Sequence, residues 1–359
     1  MQIFNKLLRF QKVYIFFSLY VLFIIIFSTT YLYANTFKVS NIEISSPFEL
    51  NFEKNEVIEG GFKISFFNLV TMLTTSGDRN KIKKTQIKEI KEMIDSFTIS
   101  EEKFIDNVYF AKLETTFNKK KILKFLERKN IFPSIPPRNK VLLIPILVDT
   151  QTEQIYLFNN NLFYNKWNNE KNNFQLLEYL LPSDDLDDLT KIQSARKEIE
   201  TYDFSSLIKK YDLKDHIILI IYKNINEIKI LSKINLNDSL KIDNKRYNKI
   251  NLQNEREVEK LILDLKDTYE DQLKKNNEIN TSIKFPINIS IESKDYKKIL
   301  EVKNVLENTE RISEFYMLKF DSQNTQFKII YNGSPKIFLD DMSRKNLYLI
   351  MTDNVWTIK

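Results

Sequence analysis

The sequence predicts a mixed protein, α+β with α/β character, built from several small modules in which mixed sheets pack with helices. The last module is expected to be a ferredoxin-like βαββαβ plait. Three observations carry this expectation. Apolar and polar residues alternate through 109–117 and again through 287–291, the period of a half-buried strand. Other stretches repeat at helical spacing, as in Val57, Ile58, Phe62, Phe66, Leu69, Val70 and Leu73. From residue 285 onward the pattern reads strand–helix–strand–strand–helix–strand, the order of the plait.

The first module covers 35–130. A strand near 38–44 leads into a helix over 52–74 that contains Gly60 and Gly61. Each glycine costs a helix about 1 kcal/mol against alanine. Either the helix approaches a sheet closely at that point, or it breaks into two. Ser76-Gly77-Asp78 reads as a turn and 85–95 as a second helix. Strands follow at 97–100 and 104–117, with Glu101-Glu102 as the turn between them. Asn118 is placed to cap a helix carrying Ile122, Phe125 and Leu126.

Pro133, Pro136 and Pro137 mark a stiff linker to a second module at 139–240. Its run Val141-Leu142-Leu143-Ile144-Pro145-Ile146-Leu147-Val148 is nearly all apolar, as expected of a strand covered on both faces. The Asn-rich stretch around Trp167 reads as loop and short helix. Pro182-Ser183-Asp184-Asp185 opens a helix to about 197, a short helix follows near 205–211, and strands 216–222 and 227–235 form a hairpin. Residues 250–275 are an amphipathic connecting helix with Val258, Leu261, Ile262, Leu265, Tyr269 and Leu273 on one stripe, expected to pack on the second or third module. In the third module, 285–359, helix 295–308 and strands 312–320 and 326–332 precede a short helix after Ser334-Pro335. A strand near 346–351 follows, and 355–358 is expected as an added edge strand.

The amino terminus sets the compartment. Lys6, Arg9 and Lys12 flank the stretch 13–27, in which 12 of 15 residues are Val, Ile, Leu or Phe. Such a run favours membrane insertion by about 4–7 kcal/mol. Residues 1–34 therefore form a signal peptide cut between Ala34 and Asn35, or an anchor that holds the chain at the membrane through residues 13–37. In both cases the rest of the chain is exported.

Composition excludes several chemistries. With no cysteine there are no disulfides, thiolate metal sites or cysteine nucleophiles. The single histidine, His216, precedes an apolar run and reads as the edge of a buried strand. Net charge is +6, of which the leader supplies three, leaving 6 − 3 = +3. No basic block with interleaved aromatics appears, so nucleic acid is not an expected partner. Four scattered glycines make no phosphate loop. Asn280, Asn288 and Asn332 begin Asn-x-Ser/Thr triplets, which an Asn-rich chain produces by chance. The densest acidic cluster is Asp184, Asp185, Asp187 and Asp188. Carboxylates suit a hard cation, but the spacing lacks the alternation and glycine of a calcium loop. Acids in the first turn of a helix stabilise its dipole, and that is the reading preferred here. Glu101-Glu102 offers no better paired-acid site. No catalytic residue, metal or cofactor is expected.

One family resemblance emerges. Val57-Ile58-Glu59-Gly60-Gly61-Phe62-Lys63 with Phe66-Phe67-Asn68-Leu69-Val70-Thr71-Met72-Leu73-Thr74 resembles the opening helix of DUF-2066, a family of Gram-negative envelope proteins of unknown function. Tyr109-Phe110-Ala111, Ile122–Leu126, the 141–148 strand, Trp167, Leu181-Pro182-Ser183-Asp184 and Leu207–Tyr211 extend the likeness over about 38–235. The resemblance implies a periplasmic chain, or one anchored in the inner membrane, of unassigned activity. It carries over no catalytic residue. The leading expectation is a non-enzymatic assembly that binds an envelope protein or polymer. A carboxylate-based hydrolase of an envelope polysaccharide would need two acids about 5–9.5 Å apart across a cleft. A periplasmic small-ligand-binding protein would need a closed pocket between the second and third modules.

Overall fold

Three sheets, each packed with helices, organise the computed structural model, which describes residues 37–169, 174–352 and 355–358. Ala34, Asn35 and the leader expected at 1–34 lie outside the described residues, as does most of the 13–37 anchor. No described helix is long and apolar enough to cross a membrane.

The first sheet has the order β1-β3-β2, from β1 (Lys38–Pro47), β2 (Ile94–Ile105) and β3 (Val108–Phe117). Between β1 and β2 lie α1 (Lys54–Leu73) and the short helices α2 (Arg79–Ile82) and α3 (Ile87–Glu92). Helix α4 (Lys119–Arg128) follows β3. Asn118 caps α4, its side chain accepting from the Lys121 amide at 3.0 Å. The alternation of β3 buries Tyr109, Ala111, Leu113, Thr115 and Phe117 against α1 and α4, and the Phe66 ring meets Phe125 edge-on at 5.6 Å.

Helix α1 runs unbroken through both glycines, and only one of them is spatially constrained. A Cβ on Gly61 would lie 2.7 Å from Leu113 Cδ2 and 2.9 Å from Ile44 Cγ2, whereas a Cβ on Gly60 would meet nothing within 4 Å. Close approach to the sheet therefore explains Gly61. The turn expected at Glu101-Glu102 is not a turn. Those residues form a bulge inside β2, between Ser100 and Lys103, with Glu101 at φ 52. The hairpin turns at Asp106-Asn107, where φ is 48 and 57, the two positive values that a tight two-residue turn requires.

The second sheet has the order β5-β4-β7-β8-β9, with β6 also paired to β4. Its strands are β4 (Asn139–Asp149), β5 (Gln154–Tyr156), β6 (Leu177–Leu180), β7 (His216–Lys223), β8 (Glu227–Leu236) and β9 (Ser239–Asn248). Helices α5 (Leu162–Lys166), α6 (Leu186–Ser194) and α7 (Ser205–Lys209) connect them. Leu142, Ile144 and Ile146 pack with Ile192, Phe204 and Leu207, while Val141, Leu143 and Leu147 are buried on the other face. Helix α6 ends at Ser194, short of the expected 197, and β5, β6 and β9 were not anticipated. The first two are three and four residues long. The third reads Ser-Leu-Lys-Ile-Asp-Asn-Lys-Arg-Tyr-Asn, too charged to resemble a core strand. Charge suits an edge strand, since it discourages pairing with other chains.

Helix α8 (Glu255–Asn276) buries the expected stripe, and Tyr269 shares a 2.8 Å hydrogen bond with Ser232 of β8. Its polar edge reaches the first module, a contact the apolar pattern did not announce. Arg79 forms two 2.8 Å bonds to Asp267, and Asp271 accepts from Ser76 N at 2.7 Å and Ser76 Oγ at 2.6 Å.

The third sheet has the order β11-β12-β10-β14-β13, from β10 (Phe285–Glu292), β11 (Ile312–Phe320), β12 (Asn324–Tyr331), β13 (Leu349–Thr352) and β14 (Val355–Ile358). Helices α9 (Tyr296–Glu307) and α10 (Pro335–Arg344) complete the βαββαβ order. The expectation for 355–358 needs correction, because β14 is not at the edge. It lies parallel to β10 and antiparallel to β13, between the two. Trp356 stands opposite Ile289 and packs on the core, whereas Ile350 and Met351 of β13 are exposed. The strand with more apolar surface to bury takes the inner place.

Two measurements follow from this local chemistry. The gain in helix propensity is common to Gly60→Ala and Gly61→Ala, and only the second overpacks, at about 1–3 kcal/mol. Urea unfolding should find Gly60→Ala stabilised by about 1 kcal/mol and Gly61→Ala below it by that overpacking cost. In the β11–β12 turn, Lys319 together with the Asn324 and Gln323 amides pulls the Asp321 carboxyl down to about 2. A depressed folded-state value means that its contribution is complete above the unfolded value near 4 and fades as pH falls toward about 2. Asp321→Asn should flatten the loss of stability over that acid window and leave its slope near neutrality unchanged.

Candidate functional site

The hairpin turn of β2–β3 brings apolar residues to one end of the first sheet. Phe48 N donates to Asn107 O at 2.7 Å, so the loop leaving β1 is tied to the turn. Phe104 and Tyr109 are cross-strand partners. With Phe48 and Phe52 they form a closed cycle of four rings, with centroids 5.0 Å (48–52), 5.3 Å (52–109), 5.2 Å (109–104) and 5.1 Å (104–48) apart. Aromatic pairs at such separations contribute about 0.5–1.5 kcal/mol each beyond their burial. Tyr109 is fully buried, yet Phe48 and Phe104 remain 50% and 58% exposed, and Leu50 is fully exposed beside them. Ile105 and Phe110 are also exposed. The ring cycle is thus built by the fold and left partly uncovered.

Lys54 stands 5.9 Å over the Tyr109 ring and pairs with Glu102. Its hydrogen bond holds the Glu102 carboxyl below its ordinary value, while burial, followed by Glu102, raises the Tyr109 phenol.

Next to this tip runs an open groove of about 560 Å³, between residues 43–47 of β1 and the outer face of α1. Glu43, Glu49, Glu53 and Glu56 line it, with no lysine or arginine among the lining residues. A smaller depression bounded by Phe48, Phe104, Asp106 and Asn107 continues it over the tip. One flank of the groove belongs to β1, an edge of its sheet. The close packing of Gly61 holds α1 at the distance that leaves this trough. Chemically, the arrangement offers apolar rings, a row of carboxylates and a strand edge, a combination suited to binding.

The sequence-predicted acids lie elsewhere. Asp185 caps α6, accepting from the Asp187 and Asp188 amides at 2.9 and 3.1 Å. Lys210 Nζ bridges Asp185 at 2.9 Å and Asp188 at 2.7 Å. Asp184 accepts from Asn159 Nδ2 at 2.6 Å. The cluster is brought together, with Asp184, Asp185 and Asp188 engaged by an asparagine, amides and a lysine. The Lys210 ammonium, hydrogen-bonded to it, holds the Asp185 carboxyl below its ordinary value. Glu101 and Glu102 do not face each other as an acid pair, because Lys112 pairs with the first and Lys54 with the second. His216 opens β7, its Nδ1 3.0 Å from the Lys214 carbonyl.

Sequence reasoning missed the tip because its parts are separated by some fifty residues. Only Asp106-Asn107, a dipeptide tolerant of positive φ, could have placed the turn and so brought Phe104 opposite Tyr109.

Comparison with known proteins adds little. No family model matches the chain, and no curated protein matches it. A solved structure titled "Crystal structure of uncharacterized protein" is similar at 11% identity and a TM-score of 0.15, over 40% of this chain and 95% of its own. That likeness carries no argument about function.

Proposed function

We propose that this chain is an exported, non-enzymatic envelope protein that docks an extended segment of a partner protein along the first sheet. The segment lies in the groove beside β1 as an added strand, basic side chains facing Glu43, Glu49, Glu53 and Glu56 and an apolar side chain resting on the Phe48–Phe104 rings. One observation carries this reading: a half-exposed aromatic cycle adjoins a groove lined by glutamates and by no cation. Buried rings would be core, and glutamates alone would be a solvated face.

Export, to the periplasm or its inner-membrane boundary, rests on the apolar run 13–27 behind its positive flank. A rim of carboxylates raises the association rate of a basic partner and makes it salt-dependent.

The test places a photocrosslinking residue at Leu50, which the fold leaves fully exposed. In whole cells, Leu50→p-benzoylphenylalanine should yield an adduct whose crosslinked peptide carries Lys or Arg beside apolar residues. Adding Glu49→Lys should abolish it. Recovery of only uncrosslinked chain, or an adduct indifferent to Glu49→Lys, would overturn the reading. An adduct of glycan mass would replace the protein partner with an envelope polymer.

A further inference from the structure

Strand β11 is an edge of the third sheet, pairing with β12 on one side. Its outer half is apolar and uncovered: Tyr316, Met317, Leu318 and Phe320 are 46–58% exposed. Bulges at Ser313 and Leu318 bracket a regular run over 314–317. In the β12 register, Phe315 and Met317 stand opposite Ile329 and Phe327, whose side chains are buried. Glu314, Tyr316 and Lys319 stand opposite Ile330, Lys328 and Gln326, and so share the other face. A bare apolar edge of this kind is a template for pairing with another strand.

We propose that β11 pairs antiparallel with the same strand of a second copy, about a two-fold axis at Tyr316. The self-complementarity of the strand selects this occupant. With the axis at Tyr316, Phe315 faces the partner subunit's Met317. Glu314 falls beside the Leu318–Lys319 bulge of the partner subunit on the same face, so symmetry creates two opposite-charge pairs. Moving the axis by one residue sets Glu314 against Tyr316 or Phe320 and loses both pairs. Register is thus fixed by charge as well as by apolar contact. Lys319 is exposed and already turns toward Asp321 at 2.7 Å, which leaves it within reach of a second carboxylate. The two-fold closes the contact at a dimer and occupies the β11 edge of each copy.

The chain contains no cysteine, which makes the test direct. Directly opposed residues of antiparallel strands have Cα atoms about 4.5–5.5 Å apart, within disulfide reach. Full-length chain carrying Tyr316→Cys should form a disulfide-linked dimer under mild oxidation, and Phe320→Cys, away from the axis, should not. Adding Glu314→Lys should lower Tyr316→Cys dimerisation about tenfold, the factor that two lost charge pairs carry. Adding Lys319→Glu to that variant should restore it. All four substituted side chains are exposed, and cooperative melting will show that each variant folds. Equal crosslinking at Phe320→Cys, failure of the charge swap to rescue, or capture of a different protein in place of a second copy would overturn the proposal.

Discussion

Glu270 and Lys274 lie one helical turn apart on α8 and are among the most buried charged residues described, at 3% and 1% exposure. Much of the surrounding arrangement depends on them. Glu270 Oε1 accepts from the amides of Leu176 and Leu177 at 2.8 and 2.7 Å, tying the helix to the start of β6. Lys274 Nζ donates to Thr71 O near the end of α1 at 2.6 Å and lies 3.5 Å from Glu270 Oε2. Burial pulls the Lys274 ammonium below its ordinary value, and Glu270 opposes that pull. Such a pair adds little net stability compared with apolar residues of the same volume, yet removing one partner strands a charge at about 3–5 kcal/mol. Its effect is geometric. Backbone groups of two modules are satisfied by one helix, and a slide of that helix would orphan all of them.

The remaining contacts of α8 widen the same seam. Asp267 and Asp271 engage Arg79 and Ser76 on the first module, while Tyr269 and Asp264 engage Ser232 of β8 and Lys245 of β9. Helix α1 is therefore fixed twice, at its carboxy-terminal end by α8 and at Gly61 by β1 and β3. The aromatic tip and the glutamate groove sit at its other end. For the docking proposed there, so rigid a support would keep the entropy cost small.

Much of the fold was legible in the chain. Helix α1, helix α8 and strands β3, β4, β10 and β12 each repeat apolar residues with a clear period, because each buries one face or, for β4, two. Where the expectation failed, local periodicity was not the deciding term. Strand β9 exists through backbone pairing with β8 and shows charge to solvent. The bulge at Glu101-Glu102 mimics a turn, since both place polar residues between apolar ones. β14 is inner instead of outer because Trp356 outweighs Ile350 in the competition for the core, a comparison no local window makes. The acidic cluster at 184–188 was visible, and its capping geometry is what a helix amino terminus demands. The aromatic tip was not visible, because its four rings meet only once β1, α1 and the hairpin are assembled.

The most direct test of the role given to the buried pair is hydrogen exchange combined with urea unfolding on Glu270→Ala. Stability should fall by about 3–5 kcal/mol. Amide protection should drop together near the end of α1, around 71–79, and at β6, although these regions belong to different modules. A loss below about 1 kcal/mol, the scale of an exposed pair, or exchange changes confined to α8 would contradict the claim that this helix holds the two modules together.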